Sequence, residues 1–312
     1  MKKFVCLSDC GYCCTEGPEL FISDKMYEDK YIEKINGKTN IKTKKKCIFN
    51  NDEKKCVIYE NRPMHCRLYP LRIFISDNVD YTVDFSCPGT NFENEEDLLD
   101  ENSKNILVIK NEINQKHEEY KHDFLSIYTK YNIDKIKMKN EAESNALDLI
   151  KNINRKGLNE LIYNNSIDLF SSLTDEDSFF IYDYKSNISF QLKNTDLHIY
   201  GKGSKILHLD SITGKSLTDQ AMCILNEYVN ILNKREMSTG IAMHIWMMNK
   251  YKERLEEVYK KVIEVSVLDT LSIAYVLTSL ENSSDIDVLQ LWNAIRIHER
   301  VYFTKKFIGY LL

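Results

Sequence analysis

At 312 residues, 43% hydrophobic and 29% charged, the chain is long enough for one large domain or two ordinary ones and too apolar to be dominated by disorder. Its formal net charge of -5 excludes a protein that coats nucleic acid through bulk charge. All four prolines and eight of the nine cysteines lie at or before Pro88, and only Cys223 follows. This shift predicts a boundary near residue 90. A cysteine-rich metal-binding domain over 1–92 would precede a mostly helical domain over 93–312, giving an α+β protein that is mainly α.

The first element is CLSDCGYCC, residues 6–14, with thiols at Cys6, Cys10, Cys13 and Cys14. Cys10-x-x-Cys13 is a short turn of the kind that supplies two ligands from one loop, eased by Gly11, which reaches backbone angles closed to other residues. Cys13 and Cys14 are neighbours whose side chains should diverge. They would serve two centres or different atoms of one cluster, or one of them is a spare thiol. KCIFNNDEKKCVIY (46–59) reads as a hairpin, two short β-branched and aromatic strands around the polar NNDEKK, with Cys47 and Cys56 flanking the turn. In ENRPMHCRLYP (60–70), Pro63 and Pro70 restrict the backbone and present Cys66. YTVDFSCPG (81–89) alternates like a strand and ends in Cys87-Pro88, a pairing that also closes bacterial ferredoxin motifs.

From 97 to 172 the pattern turns helical, with Ile106, Ile109, Ile113, Tyr120, Phe124 and Tyr128 forming a buried stripe between charged faces. SFFIYDY, ISFQL, LHIY and KILHL, within 178–209, switch to short strands, and GKGS (201–204) turns the chain between the last two. From Thr218 the chain is helical again. Ser238 and Ser284 are plausible helix starts, while Gly240 sits unusually early in its helix. MHIWMMNKY (243–251) reads as core packing, and Cys223, in QAMCILNEYVNIL, as a small core residue. VIEVSVLDTLSIAYVLTSL (262–280) is very apolar but carries Glu264 and Asp269, which argues for a half-buried helix and against a membrane span.

MKKF runs into the cysteines with no apolar leader, so the expected compartment is the cytoplasm. Thiols stay reduced there, and clustered cysteines more often bind metal than pair as disulfides. The candidate ligands are Cys6, Cys10, Cys13, Cys14, Cys47, Cys56, Cys66 and Cys87. Zinc and iron–sulfur sites draw on the same donors, so spacing leaves the metal open. His65 is more simply an exposed or hydrogen-bonding histidine than a ligand. Arg62 and Arg67 flank the thiols, either to bind a carboxylate or phosphate of a ligand or to balance thiolate charge.

Other patterns carry less. KTKKK (42–46) reads as a solvated loop, and His198 and His208, on adjacent predicted strands, as structural. Cys6-x3-Cys10-x2-Cys13 has the spacing of radical S-adenosylmethionine enzymes, yet nothing after residue 90 alternates strand and helix as their barrel requires. No phosphate loop, dinucleotide fingerprint or nucleophile elbow is present, and GKGS fails the phosphate-loop test because both flanks read as strands.

Taken together, CLSDCGYCC, Cys47, CVIYENRPMHCRLYP and CPG resemble the YkgJ-like cysteine-cluster family, whose members are described as having a zinc- or iron-chelating domain. The resemblance covers about residues 4–90. Its most specific part is Cys-x-x-Tyr-x-x-Arg-Pro-x-x-Cys-Arg-x-Tyr-Pro, here Cys56 to Pro70. It implies that Cys10, Cys13, Cys14, Cys47, Cys56, Cys66 and Cys87 are ligands or their close neighbours. The family opening has two residues between its first two cysteines where this chain has three, so Cys6 is less secure. The segment is also similar to the cysteine domain of flagellin lysine methylases, which precedes a mostly helical remainder. That similarity implies a [4Fe–4S] cluster and methyl transfer from S-adenosylmethionine to a protein lysine. The competing expectations are a zinc-stapled scaffold whose helical half binds a protein partner, and a redox module.

Overall fold

The computed structural model describes residues 7, 10–15, 20, 27–35, 38–42, 47–53, 55–75, 79–92, 98, 135–152, 156–172, 179–183, 186–201, 204–212, 214–234 and 262–303. Cys6, residues 43–46, the predicted stripe over 106–128, Ser238, Gly240 and residues 243–251 lie outside the described residues. The protein is mixed α and β, mainly helical, with small antiparallel sheets. It divides into two units, Met1–Ser126 and Ile127–Leu312.

In the first unit, β1 (Ile32–Ile35) pairs antiparallel with β2 (Lys38–Ile41), and β3 (Leu71–Ile75) with β4 (Val79–Val83). A one-and-a-half-turn helix, α1 (Met64–Leu68), precedes β3. Among the described residues, Ile41, Met64, Leu68, Leu71, Val83, Phe85 and Leu98 are buried, and Phe85 meets Phe92 edge-on at 5.1 Å.

Two sequence expectations change here. Residues 46–59 do not form paired strands. A single bridge, Asn50↔Cys56, and the bond from Val57 N–H to the Phe49 carbonyl (2.9 Å) are the cross-links. The polar turn closes as expected, Asn51 N–H donating to the Lys55 carbonyl at 3.0 Å and Lys55 N–H to Asn51 Oδ1 at 2.8 Å. The flanks, however, are taken up by further turns, and Phe49 packs against Tyr27 and Tyr31. The strand expected over 81–89 ends at Val83. Buried Asp84 accepts the Ser86 N–H on Oδ1 (2.9 Å) and the Cys87 N–H on its carbonyl (3.1 Å), an Asx-type turn that outcompetes the ladder.

The second unit contains α2 (Lys135–Lys151), α3 (Lys156–Ser172), α4 (Asp219–Lys234), α5 (Val262–Leu280) and α6 (Val288–Phe303). Between α3 and α4 runs a four-stranded antiparallel meander of β5 (Phe179–Asp183), β6 (Ser186–Lys193), β7 (Asp196–Tyr200) and β8 (Lys205–His208). Asn194 (φ 59°) supplies the left-handed residue of the β6–β7 turn. Ile188, Phe190, Leu197 and Ile199 bury one face, and Phe170 of α3 meets Phe190 at 5.1 Å. His198 stacks on Tyr200, while His208 pairs with Asp196 across the strands, so both histidines serve the sheet.

Helix α5 is more deeply buried than expected, packed nearly all round and not on one side only. It is long and apolar enough to cross a membrane, yet 83% of its most apolar window, Ile263–Leu280, is buried within the protein. Several of its polar residues have hydrogen-bond partners inside. Thr270 and Thr278 donate to carbonyls one turn back, and Asn165 of α3 donates to Asp269 (2.8 Å) and Ser272 (3.0 Å). On α4, Ala221, Leu225, Tyr228, Val229 and Leu232 make the buried stripe. Cys223 lies off that stripe and is exposed, not a core residue as the sequence suggested.

Ser284 does not start the last helix. Ser216–Leu217 and Asp285–Ile286 form a short parallel pair, and Asp287 caps α6. Leu289 and Gln290 N–H groups donate to Asp287 Oδ1 at 2.7 and 3.0 Å, and Asp287 N–H donates back to Gln290 Oε1 at 3.0 Å, a reciprocal capping box. Asp287→Ala should cost about 1 kcal/mol by chemical denaturation. Ser284→Ala, at an exposed hydroxyl, should stay within about 0.5 kcal/mol. Equal effects would contradict this assignment of the cap.

Candidate metal centre

The centre begins with a backbone conformation. Gly11 has φ 58°, in the left-handed region, and its carbonyl accepts the Cys14 N–H at 3.1 Å as the chain enters a single 3-10 turn, Tyr12–Thr15. Cys13 is exposed and Cys14 half-buried, yet the two thiols hydrogen-bond to each other. Adjacent side chains are expected to diverge, and this contact departs from that expectation. Gly11→Val would force a β-branched side chain into this left-handed position. We expect it to reduce bound metal per chain at least twofold, read by elemental analysis, whereas Gly214→Ala, at an exposed turn of the second unit, should leave metal content unchanged.

Segment 47–58 docks directly on this turn, with Cys47 N–H donating to the Cys14 carbonyl at 2.6 Å. Cys47 is buried and Cys56 half-buried. One device recurs in this segment. The backbone N–H of Phe49 points to the Cys47 sulfur, and that of Ile58 to the Cys56 sulfur. Turns that aim an N–H two residues ahead at a sulfur favour its thiolate. Even so, burial holds both thiols above the ordinary cysteine range.

Residues 59–70 complete the group. Pro63 is buried at the start of α1, and Cys66 sits within the helix. Burial, reinforced by the charges of Cys47 and Cys14, pushes the Cys66 thiol up to about 12. Cys14 moves the other way, to about 6. The Cys13 hydrogen bond is the main cause, against opposing burial, with help from an Asn50 side-chain hydrogen bond and the Arg62 charge.

Arg62 is held rigidly. Its Nε donates to the Tyr59 carbonyl at 2.9 Å, and its guanidinium lies 3.8 Å from the Tyr59 ring centroid. Its charge acts on Cys14, Cys56 and Cys66. Arg67 Nε donates to the Arg62 carbonyl at 2.7 Å, so Arg67 fixes the loop that aims Arg62.

Of the predicted ligands, these contacts bring together Cys13, Cys14, Cys47, Cys56 and Cys66. Cys10 is half-buried just before Gly11, and Cys87 is buried in the Asp84–Thr90 turn. His65 is exposed on α1. None of Cys10, Cys13, Cys14, Cys47, Cys56, Cys66, Cys87 and Cys223 is joined in a disulfide. Among the described residues, no three His, Cys, Asp or Glu side chains are gathered tightly enough to hold a single ion.

The thiols act on one another's charge. Their chemistry suits soft and borderline metals, and a guanidinium beside several thiolates offsets the negative charge such a donor set carries. Asn50 was not singled out from the sequence. It is one polar residue in a polar turn, and only its burial at 7% exposure marks it.

Grouped thiols beside one fixed arginine are the donor set of a metal-binding module. Residues 5–96 match the family model CxxCxxCC, described as a putative zinc- or iron-chelating domain, which supports metal binding by this part of the chain. No curated protein and no solved structure matches the chain.

Proposed function

We propose that the N-terminal unit holds an iron–sulfur cluster of the [4Fe–4S] kind in a cytoplasmic protein, with Cys14, Cys47, Cys56 and Cys66 as its first ligands to test. The observation that carries this reading is the grouping of Cys14, Cys47, Cys56 and Cys66, each of which acts on another's charge, beside the fixed cation of Arg62. Four thiols from separate segments are the donor number that a [4Fe–4S] cluster takes, and the resemblance to flagellin lysine methylases favours the cluster over zinc. When bound, such a cluster supplies one-electron chemistry or an iron centre for a ligand. The chain's own part is to shield the thiols, fix Arg62 beside them and present a ligand or protein substrate.

The resemblance to flagellin lysine methylases makes methyl transfer from S-adenosylmethionine to a protein lysine the reaction we propose to test. Arg62 and Arg67 are the cations nearest to hand for a ligand carboxylate, and the helical unit is the candidate surface for the protein substrate. The experiment is metal and acid-labile sulfide analysis with an absorption spectrum, on full-length protein purified under nitrogen without chelator. Iron with sulfide and a broad visible band is the expected result, followed by assay of labelled methyl incorporation into protein. A colourless sample with stoichiometric zinc would overturn the cluster and leave a zinc-stapled scaffold for a protein partner.

A further inference from the structure

We propose that Arg62 and Tyr59 form a binding site for the amino-acid head group of a small ligand. Arg62 takes the carboxylate on its two terminal amino groups, and Tyr59 holds the guanidinium plane in place. The inference deepens the methyl-transfer reading and rests on it for the identity of the ligand, S-adenosylmethionine, which carries such a head group.

Arginine recognises a carboxylate best when its planar fork is fixed before the ligand arrives, because the rotamer entropy of the long side chain is then already lost. Arg62 is fixed from both sides. Its Nε donates to the Tyr59 carbonyl at 2.9 Å, and its guanidinium lies 3.8 Å from the Tyr59 ring centroid. Tyr59 itself opens the 3-10 turn Tyr59–Asn61, closed by Asn61 N–H donating to the Ile58 carbonyl at 2.8 Å. The Tyr27 hydroxyl ties that turn down by donating to the Asn61 carbonyl at 2.6 Å. After Arg62, Arg67 Nε donates to the Arg62 carbonyl at 2.7 Å and Arg67 N–H to the Pro63 carbonyl at 3.0 Å.

This scaffold leaves the far end of the side chain unused. A guanidinium has five N–H donors, and among the described residues Arg62 spends only the one on Nε. The donors on Nη1 and Nη2 remain, in the parallel arrangement that a carboxylate meets with two bonds. Among the described residues no carboxylate takes them, although Glu60 is exposed on the same turn. A role limited to balancing thiolate charge needs the cation, but neither the backbone bond nor the ring that sets its plane. Charge then selects among anions. A phosphate group brings close to two negative charges to a place already lined by Glu60 and thiols, whereas an amino-acid head group brings an ammonium with its carboxylate and adds none. Tyr59 is 49% exposed, which leaves ring surface for the apolar part of such a ligand.

The test is calorimetric titration of the full chain, purified under nitrogen with its metal, with S-adenosylmethionine and with its decarboxylated analogue. The analogue carries the greater positive charge, so a merely negative surface prefers it. Wild type should instead bind S-adenosylmethionine about 10- to 100-fold more tightly. Arg62→Gln removes charge and fork together; Arg62→Lys keeps the charge beside the thiols and loses the fork. In both, the preference should shrink to about threefold or less. Tyr59→Leu keeps the carbonyl that holds Nε and should weaken S-adenosylmethionine binding about 3- to 10-fold.

Equal affinity of wild type for the two compounds overturns the inference. So does the full wild-type preference in Arg62→Gln. If Arg62→Gln loses its metal, Arg62→Lys decides, and the full preference there would make Arg62 a counter-charge to the thiols and nothing more. Wild type that holds metal yet binds neither compound overturns the methyl donor and this inference together. The expected preference without labelled methyl incorporation into protein supports the site and sinks the methyl-transfer reading alone.

Discussion

Cys66→Ser is expected to strip the protein of bound metal and to remove the melting transition of the first unit, leaving that of the second in place. Cys66 sits in α1, held by burial at a thiol pKa of about 12, and senses Cys14, Cys47, Cys56 and Arg62. Only a metal that takes the proton's place can hold such a sulfur as thiolate at neutral pH. Serine is a much poorer ligand for a soft centre. Among the described residues of the first unit few apolar side chains are buried, so bound metal should contribute heavily to its stability, and in small metal-organised domains that contribution reaches about 10–16 kcal/mol. Elemental analysis should find less than about a tenth of the wild-type metal, and calorimetry should show the first transition lost. Cys223→Ser, at an exposed position on α4, provides the control and should change neither readout. Wild-type metal content in Cys66→Ser would remove Cys66 from the ligand set.

The second large effect belongs to the helical unit. Tyr228, on α4, has a fully buried hydroxyl that donates to Glu299 Oε1 at 2.6 Å and lies 2.8 Å from His298 Nδ1, both on α6. With the Tyr228 proton directed at the carboxylate, His298 must carry its own proton on Nδ1 and donate to the tyrosine oxygen. Glu299 is 0% and His298 1% exposed, so the hydroxyl links a buried acid and a buried imidazole where water does not reach. Tyr228→Phe deletes one atom from this relay without opening a large cavity. Loss of a hydrogen bond to a buried carboxylate should cost about 2–4 kcal/mol. For a unit of this size that lowers the melting midpoint by about 5–15 °C. Tyr200→Phe removes an exposed hydroxyl bond to Gln191 and should shift stability by less than about 0.5 kcal/mol. Equal midpoints for Tyr228→Phe and wild type would show that the relay contributes nothing.

Much of the helical unit was legible in advance because its signals are local. The four strands over 178–209 follow from a period-two pattern, and α3 to α5 from apolar residues at helical spacing. The errors fell where two local signals competed. Ser284 and Asp287 both satisfy the composition of a helix start. Only Asp287 has Gln290 three residues ahead to return the bond, and residues 285–286 were claimed by a parallel pairing with 216–217 that no local pattern announces. Cys223 looked like core because its neighbours are apolar. Which side of α4 faces inward depends on what packs against it.

By itself, the amino-acid sequence determined the class of donor. Eight thiols in turn-rich segments, with Arg62 and Arg67 among them, define a soft donor set whatever path the backbone takes. Tertiary structure decided how that set is arranged. It joined Cys13 to Cys14 through a left-handed glycine, docked segment 47–58 on Cys14, and replaced two expected strands with turns. It also placed Asn50, invisible as one polar residue in a polar loop, against a sulfur from a distant segment. The reason is physical. Donor chemistry belongs to individual side chains, whereas burial, hydrogen bonding and the field at each sulfur arise only when segments far apart in the chain are brought into contact.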